Sequence, residues 1–373
     1  MPKYKDCRGF ITGLGVSVPP HRFSQAGVGG FMKRHMLLDE KLGRWVDLLV
    51  KQSKINFRHS VIPDYGTGTG GYQFFPNNES LTPFPGVSAR MKAYKQHALP
   101  LAVSAAEKCM RSAGGTGEIT HLIVVSCTGM YAPGLDVGLV GALGLPGSVS
   151  RTCINFMGCY AAFNALKVAS AIVGADDRAR VLLVCVELCS LHFQKESAET
   201  NHLLTNMLFA DGASAALVEA VPSSGKPSFA VVDYASDLFP EGKDEMTWEI
   251  SDFGFAMKLT GHVPEVLRNG VGGVLERLLQ ANNTGMGEVR HFAFHPGGPR
   301  VLEVLEKACN ISPSANRWAY ETLRDFGNMS SATLFFVLQK IMENEVIKAG
   351  DLVLSAAFGP GLTCESALLR VTV

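Results

Sequence analysis

The sequence predicts an α/β protein, and three observations carry that prediction. Short runs rich in Val, Leu and Ile recur along the chain, too continuously apolar for strands with one wet face. Helix-compatible stretches separate these runs. The second half of the chain then repeats the style of the first.

In the first half, HLIVVSC (121–127) and RVLLVCVE (180–187) read as strands buried on both faces. Between them a strand-like CINF (153–156) leads into CYAAFNALKVASAIVGA (159–175), an Ala-rich helix ending near Gly174. In the second half, HFAFHPGG (291–298) reads as a short strand running into a Pro-Gly-Gly turn. GPRVLEVLEKACN (298–310) has helical spacing, with Pro299 near the helix start. SSATLFFVLQKIMENEVI (330–347) reads as a strongly amphipathic helix, and DLVLSAAFGPG (351–361) as a closing strand. A seam at VPSSGKPS (221–228) divides the chain into halves of 1–225 and 226–373. Residues 63–88, rich in Gly, Pro, Thr and Asn, read as an irregular functional or contact loop. Residues 236–256 read as strands and turns.

Composition narrows the function. The 373 residues carry 34 Lys plus Arg against 34 Asp plus Glu, and a balanced charge argues against nucleic-acid binding. No run of about 18 apolar residues is read, so no membrane span is expected. MPKYKDCRGFITGLG lacks the apolar stretch of a signal peptide, which points to the cytoplasm. Nine cysteines, without a CxxC pair, remove the usual zinc and thioredoxin-like signatures, and no metal site is expected. No GxGxxG follows a strand, so dinucleotide binding has no support.

Three residues stand where chemistry is placed. Cys159, in INFMGCYAAFNALK, sits at the first turn of a helix after a sharp Met-Gly turn. Amide N–H groups and the helix dipole there favour an anion, so a lowered thiol pKa is expected. The alternative is a small buried hydrophobe, the ordinary fate of a cysteine in an apolar string. His295 closes an apolar strand just before a glycine turn, a position that faces a cleft in α/β proteins. It could accept a proton or donate to a developing oxyanion. His291 shares its face of a regular strand, so proximity to the turn favours His295. Asn328, in LRDFGNMSSATLFF, is either an N-cap of the following helix or an amide donor to an enolate oxygen.

Together these follow the order Cys, His, Asn, and a thiol with two oxyanion donors suits thioester chemistry. Papain-like hydrolases share the order, but their CGSCW signature is absent.

With these contexts assembled, the chain resembles the type III polyketide synthases, the chalcone and stilbene synthase superfamily. The resemblance runs from GLGVSVPP (13–20) to AFGPGLTCESALLR (357–370). It rests on FMGCYAAFNALK around Cys159, LFADGASAALV (208–218), HPGG (295–298), GNMSSAT (327–333) and FGPGLT (358–363). It implies a thiolase-type fold, five layers αβαβα built from two similar halves, usually as a homodimer. The loop MYAPGLDVG (130–138) fits such an interface. It implies that Cys159 takes the acyl starter from coenzyme A, and that His295 and Asn328 stabilise the enolate of decarboxylated malonyl-CoA. His295 would also keep Cys159 as thiolate.

The resemblance further places Phe209 as a gate between the coenzyme A tunnel and the cavity. A Phe beside Leu208 is as readily core. Ser330, Gly359 and Pro360 would help shape the cavity wall. Several positions depart from the plant enzymes. Met257 stands for a second gate phenylalanine, and Cys127 in SCTG for a threonine, as in bacterial members. Cys189 and His192 replace cavity threonines, and Trp248 falls where plant enzymes carry glycine. Together they suggest a reshaped cavity. Lys51, Lys54 and Arg58, in KQSKINFRHS, are candidate partners for coenzyme A phosphates, or else a solvated helix face. Asp211 and Glu187 read as structural supports.

The expected activity is iterative decarboxylative Claisen condensation of malonyl-CoA onto an acyl-CoA starter, closing to a pyrone, resorcinol or phloroglucinol-type product. It needs no metal or redox cofactor. One rival is a single-condensation enzyme like the third-class ketoacyl-ACP synthases, which would require a carrier protein. The other is a non-catalytic thiolase-fold subunit. Rapid alkylation of Cys159 ahead of the other eight cysteines would count against that second rival.

Overall fold

The structure, a computed structural model, describes residues 7–36, 38–114, 117–195 and 200–373. The first six residues of the N-terminal segment lie outside them. The chain opens with β1 (Phe10–Ser17), β2 (His21–Ser24), α1 (Gln25–His35), α2 (Glu40–Gln52) and β3 (Phe57–Ser60). Then come α3 (Val87–Ser112), β4 (His121–Ser126), α4 (Leu135–Ala142), β5 (Ser150–Asn155) and α5 (Ala161–Ala175). They are followed by β6 (Arg180–Leu188), α6 (Thr200–Leu208) and β7 (Asp211–Glu219). Beyond residue 225 follow β8 (Ser228–Leu238), β9 (Met246–Ser251), β10 (Gly254–Leu259) and α7 (Val263–Ala281). β11 (Val289–Phe294), α8 (Pro299–Cys309), α9 (Arg317–Phe326), α10 (Thr333–Asn344), β12 (Leu352–Gly359) and β13 (Thr363–Thr372) complete it.

Nine strands join in the order β11-β12-β13-β8-β1-β7-β6-β4-β5. β1 and β8 pair at Phe10↔Ala230 and Ile11↔Phe229, with Arg8 and Gly9 bonded to Val231, so two sheet halves meet at a short join. The alternation of side chains along the strands then builds the layers. Leu122, Val124, Leu182 and Val184 face an outer core beneath α3. Their neighbours Ile123, Val125, Val181 and Leu183 face a central core. Across that central core stand Val353, Ala357, Leu369 and Val371 of the other half. Leu352, Leu354 and Leu368 face a third core under α7 and α8. The result is the five-layered αβαβα thiolase-type fold, with α5 and α10 between the two halves of the sheet.

The central position explains two sequences. Ala161, Ala162, Ala165 and Ala169 of α5 are fully buried, and small side chains let a helix fit between sheets. The segment Gly158–Ala175 is long and apolar enough for a membrane span, contrary to expectation, yet 56% of it is buried inside the fold as a core helix. α10 is also corrected. Thr333, Leu334, Phe335, Phe336, Val337 and Leu338 are all buried, so its first turns have no wet face. Only Glu343 and Asn344 at its end are exposed. The stretch 63–88 holds one short 3-10 turn, Pro63–Gly66, before α3 begins at Val87.

Candidate active site

Cys159 lies on a one-turn 3-10 helix, Gly158–Tyr160, that joins β5 to α5. Gly158 takes φ +80, and a Cβ there would meet Pro360 Cδ at 2.4 Å, so only glycine turns the chain this tightly. Its amide donates to Cys127 Sγ at 3.0 Å. Asn328 follows α9 and pairs with Phe209 in a parallel bridge. The Asn328 amide donates to Leu208 O at 3.1 Å, and Ala210 N donates to Asn328 O at 2.8 Å.

Asn328 stands one residue before Met329, the N-cap of the short turn Ser330–Ala332. Its Oδ1 accepts the Ser330 amide at 2.8 Å and lies 3.9 Å from Cys159 Sγ. With Oδ1 so occupied, Nδ2 is the part of the amide suited to donate to a ligand. His295 leaves the end of β11, its amide donating to Ala356 O at 2.9 Å. The ring is 1% exposed, and neither nitrogen has a hydrogen-bond partner. Cys159, His295 and Asn328 all line one cavity.

That outer cavity has a volume of about 720 Å³ and reaches Lys51, Lys54 and Arg300. A second, inner cavity of about 70 Å³ is lined by Cys127, Cys189, His192, Trp248, Met257, Ser330 and Pro360. Cys159 and Phe209 line both cavities. Each predicted wall residue but one is thus beside a cavity. Gly359 is the exception: it stands behind the wall, where a Cβ would meet Tyr160 Cδ1 at 2.5 Å.

The inner wall is tightly knit. Trp248 and Met257 are cross-strand partners of the β9–β10 hairpin and so share a face. Trp248 Nε1 donates to Cys127 O at 2.7 Å. His192 donates from Nε2 to Thr128 O at 2.7 Å and accepts the Phe255 amide on Nδ1 at 2.9 Å. Its ring stacks on Phe255 at 4.4 Å. Glu187 accepts from Cys127 N, Thr128 Oγ1 and Ser331 Oγ, and Asp211 from Val61 N and Ser190. Both carboxylates tie loops together behind the wall.

Burial sets the protonation. Desolvation pushes the Cys159 thiol up to about 12, although hydrogen bonds with Ser330 and Asn328 oppose it. The expected lowered pKa is thereby corrected: a helix start is outweighed when the thiol is withdrawn from water. Desolvation likewise lowers His295 to about 3. Burial thus disfavours the charged form of each group. Glu187 is raised to about 7 by burial.

The basic run divides. Lys51 and Lys54 line the outer cavity, Lys54 with a half-exposed side chain 3.9 Å from Glu303 and over the Tyr320 ring. Arg58 is the correction. It is buried on β3 beside the inner cavity, and donates to the carbonyls of Asn206 and Phe209. β3 alternates, so Arg58 and Ser60 are buried while Phe57 and His59 are only half-buried. Sequence reasoning missed Thr128, next to Cys127, and Arg300, directly after the HPGGP turn.

A thiol between two cavities, faced by two groups able to bind an oxyanion, defines an acyl-transferring enzyme of thiolase fold. The pattern of chalcone and stilbene synthases matches the chain twice, their N-terminal domain over residues 5–222 and their C-terminal domain over 231–373. The chain belongs to that family, the type III polyketide synthases. It is 34% identical over 287 residues to the alpha-pyrone synthesis polyketide synthase-like Pks18 of Mycobacterium tuberculosis, covering 76% of this chain and 73% of that one. It is 28% identical over 371 residues to the probable polyketide synthase 1 of Dictyostelium discoideum; the match takes in 98% of this chain but only 11% of that longer protein. The crystal structure of PKS-I from the brown alga Ectocarpus siliculosus superposes with a TM-score of 0.90 at 28% identity, covering 99% and 100% of the two chains. These matches do not favour the ketoacyl-ACP synthase alternative.

Proposed function

We propose that this chain condenses malonyl-CoA repeatedly onto an acyl-CoA starter held as a thioester on Cys159. The observation that carries the reading is the position of Cys159 on the wall common to both cavities, with His295 and Asn328 on the outer side only. An acyl-CoA occupies the outer cavity with its phosphates at Lys51 and Lys54. Cys159 Sγ attacks the thioester carbon while its proton passes to His295, and then to the departing coenzyme A sulfur. Burial favours the neutral pair, so proton transfer and attack are coupled. Malonyl-CoA follows and loses carbon dioxide. The electron pair left behind forms an enolate, whose oxygen accepts N–H groups of His295 and Asn328. The enolate carbon attacks the Cys159 thioester, a C–C bond forms, and the thiolate leaves. Transfer of the lengthened chain back to Cys159 permits another round.

The chain grows past Phe209 into the inner cavity, which is small beside the roughly 300–1,000 Å³ of ordinary ligand pockets. Its narrowness supports short intermediates and early closure, and the description of Pks18 favours an α-pyrone among the pyrone, resorcinol and phloroglucinol-type products. No cofactor beyond the coenzyme A thioesters is required. The reading includes a cytoplasmic homodimer. Edge strand β5 is exposed along nearly its whole length, and Met130 and Val137 are exposed nearby, which supports a second copy covering that edge.

The test is mass spectrometry of products from the purified protein, malonyl-CoA and a panel of short, long and aromatic acyl-CoA starters. Pyrones or resorcinols are expected without a carrier protein. Cys159→Ala removes them and retains the fold. Product that forms only with an acyl carrier protein, or undiminished product from Cys159→Ala, would overturn the proposal.

A further inference from the structure

Arg58 is 6% exposed in the wall of the inner cavity. Its Nη1 donates to Asn206 O at 2.8 Å and Phe209 O at 2.5 Å, both neutral acceptors. Its Nε and Nη2 are buried without any hydrogen-bond partner. Asp211 acts on Arg58 through its charge, but its oxygens already take Val61 N, Ser190 N and Ser190 Oγ. Burial lowers the guanidinium to about 10, so it remains a cation at neutral pH.

A buried cation with two idle donors is costly, by several kcal/mol in ordinary proteins, unless something else answers it. The aliphatic stem lies against Gly327, a contact that needs no charge. What distinguishes arginine is the Nε–Nη2 edge, two parallel N–H donors matched to a planar pair of oxygens.

The inner cavity supplies such a pair on the reading of Cys159 given above, on which this inference rests. A chain extended by malonyl units carries an oxygen on every second carbon. Each adjacent pair of carbonyls flanks an acidic CH2, and loss of one proton leaves a planar enolate with its charge on two oxygens. We propose that Arg58 is a subsite for this 1,3-dicarbonyl unit, holding it as its enolate through paired N–H···O bonds from Nε and Nη2. Nη1 meanwhile fixes the Phe209 carbonyl, so one side chain binds the chain and braces the gate it passes. No covalent step is involved; the proton leaves to solvent or buffer.

The test uses acetylacetone as probe, with intact protein and no malonyl-CoA. Wild-type protein is expected to raise the enolate absorbance of the dione saturably at neutral pH. Arg58→Gln should abolish that signal, and Arg58→Lys should retain part of it. In turnover, Arg58→Gln should lower products of two or more extensions about tenfold relative to carbon dioxide released, the loss of one charge-assisted contact. No saturable enolate signal with wild-type protein overturns the proposal, whether or not a variant folds. An equal fall of carbon dioxide release and of every product class in Arg58→Gln also overturns it, leaving Arg58 a brace for Phe209 only. Absence of any turnover by wild-type protein would fault the synthase reading instead, and the dione titration would still report on Arg58.

Discussion

Replacing Trp248 by alanine tests the inner wall most directly. The indole is held by its hydrogen bond to Cys127 O and by edge-to-face packing on His192 at 5.5 Å and Phe255 at 5.9 Å. A net hydrogen bond is worth about 1 kcal/mol and each aromatic pair roughly 0.5–1.5 kcal/mol, so stability falls by about 2–4 kcal/mol. With an unfolding entropy of roughly 2.1 cal/mol/K per residue across a chain this long, the thermal midpoint drops by about 3–5 °C. The protein remains folded at assay temperature. The 70 Å³ cavity, freed of an indole, then gains space on the scale of its own volume. With one fixed starter, chromatography with mass detection should find products longer by at least one ketide unit. Unchanged product lengths from a folded variant would refute the claim that Trp248 limits the chain. A midpoint that does not move would refute the packing argument.

Three further outcomes follow from the same geometry. At neutral pH iodoacetamide should label the buried Cys159 slowly, the reverse of what the sequence suggests. Labelling of Cys159 should rise about tenfold per pH unit into the alkaline range, and peptide mass spectrometry showing a plateau near neutrality would contradict its raised pKa. Lys51→Ala with Lys54→Ala should raise KM for acyl-CoA by about two- to fivefold per charge, more than it lowers kcat, as half-exposed cations are worth about 0.3–1 kcal/mol each. A KM that ignores added salt would argue against phosphate contacts there. Burial makes Glu187 ionise near pH 7 when folded, against 4.5 for an unburied glutamate. The native state therefore keeps a proton the unfolded chain has lost, and its stability falls as pH rises through that window and levels off above it. Glu187→Gln should gain about 3 kcal/mol relative to wild type between the low and high ends. Parallel denaturation curves across pH would exclude that role.

Much of this was legible in the residues, and the failures share a cause. β4 and β6 are readable because burial on both faces leaves continuous Val and Leu runs, and the three-core layering later gives each face its partner. Cys159, His295 and Asn328, which line one cavity, stand out in the sequence because each sits at the edge of an element within two residues of a glycine. Tertiary burial is what local sequence does not carry. It turns α10 from amphipathic to buried on every side and reverses the sign of the Cys159 shift. It also separates Arg58 from Lys51 and Lys54. The three look alike in one basic run, but α2 ends at Gln52 and β3 begins at Phe57, so the period changes between them. The long helix α3 carries a buried stripe at Ala98, Leu101, Ala102, Ala105 and Cys109, masked in sequence by Pro100 inside it.

The bridge between Phe209 and Asn328 reaches beyond geometry. The thiol is supplied before residue 225, the imidazole and amide after it, and backbone hydrogen bonds at Leu208 and Ala210 clasp the two contributions together. The site is thus an interlock: two polypeptides divided within 221–227 would each hold an incomplete set of the residues that line this cavity, and neither alone would present thiol, imidazole and amide to one ligand.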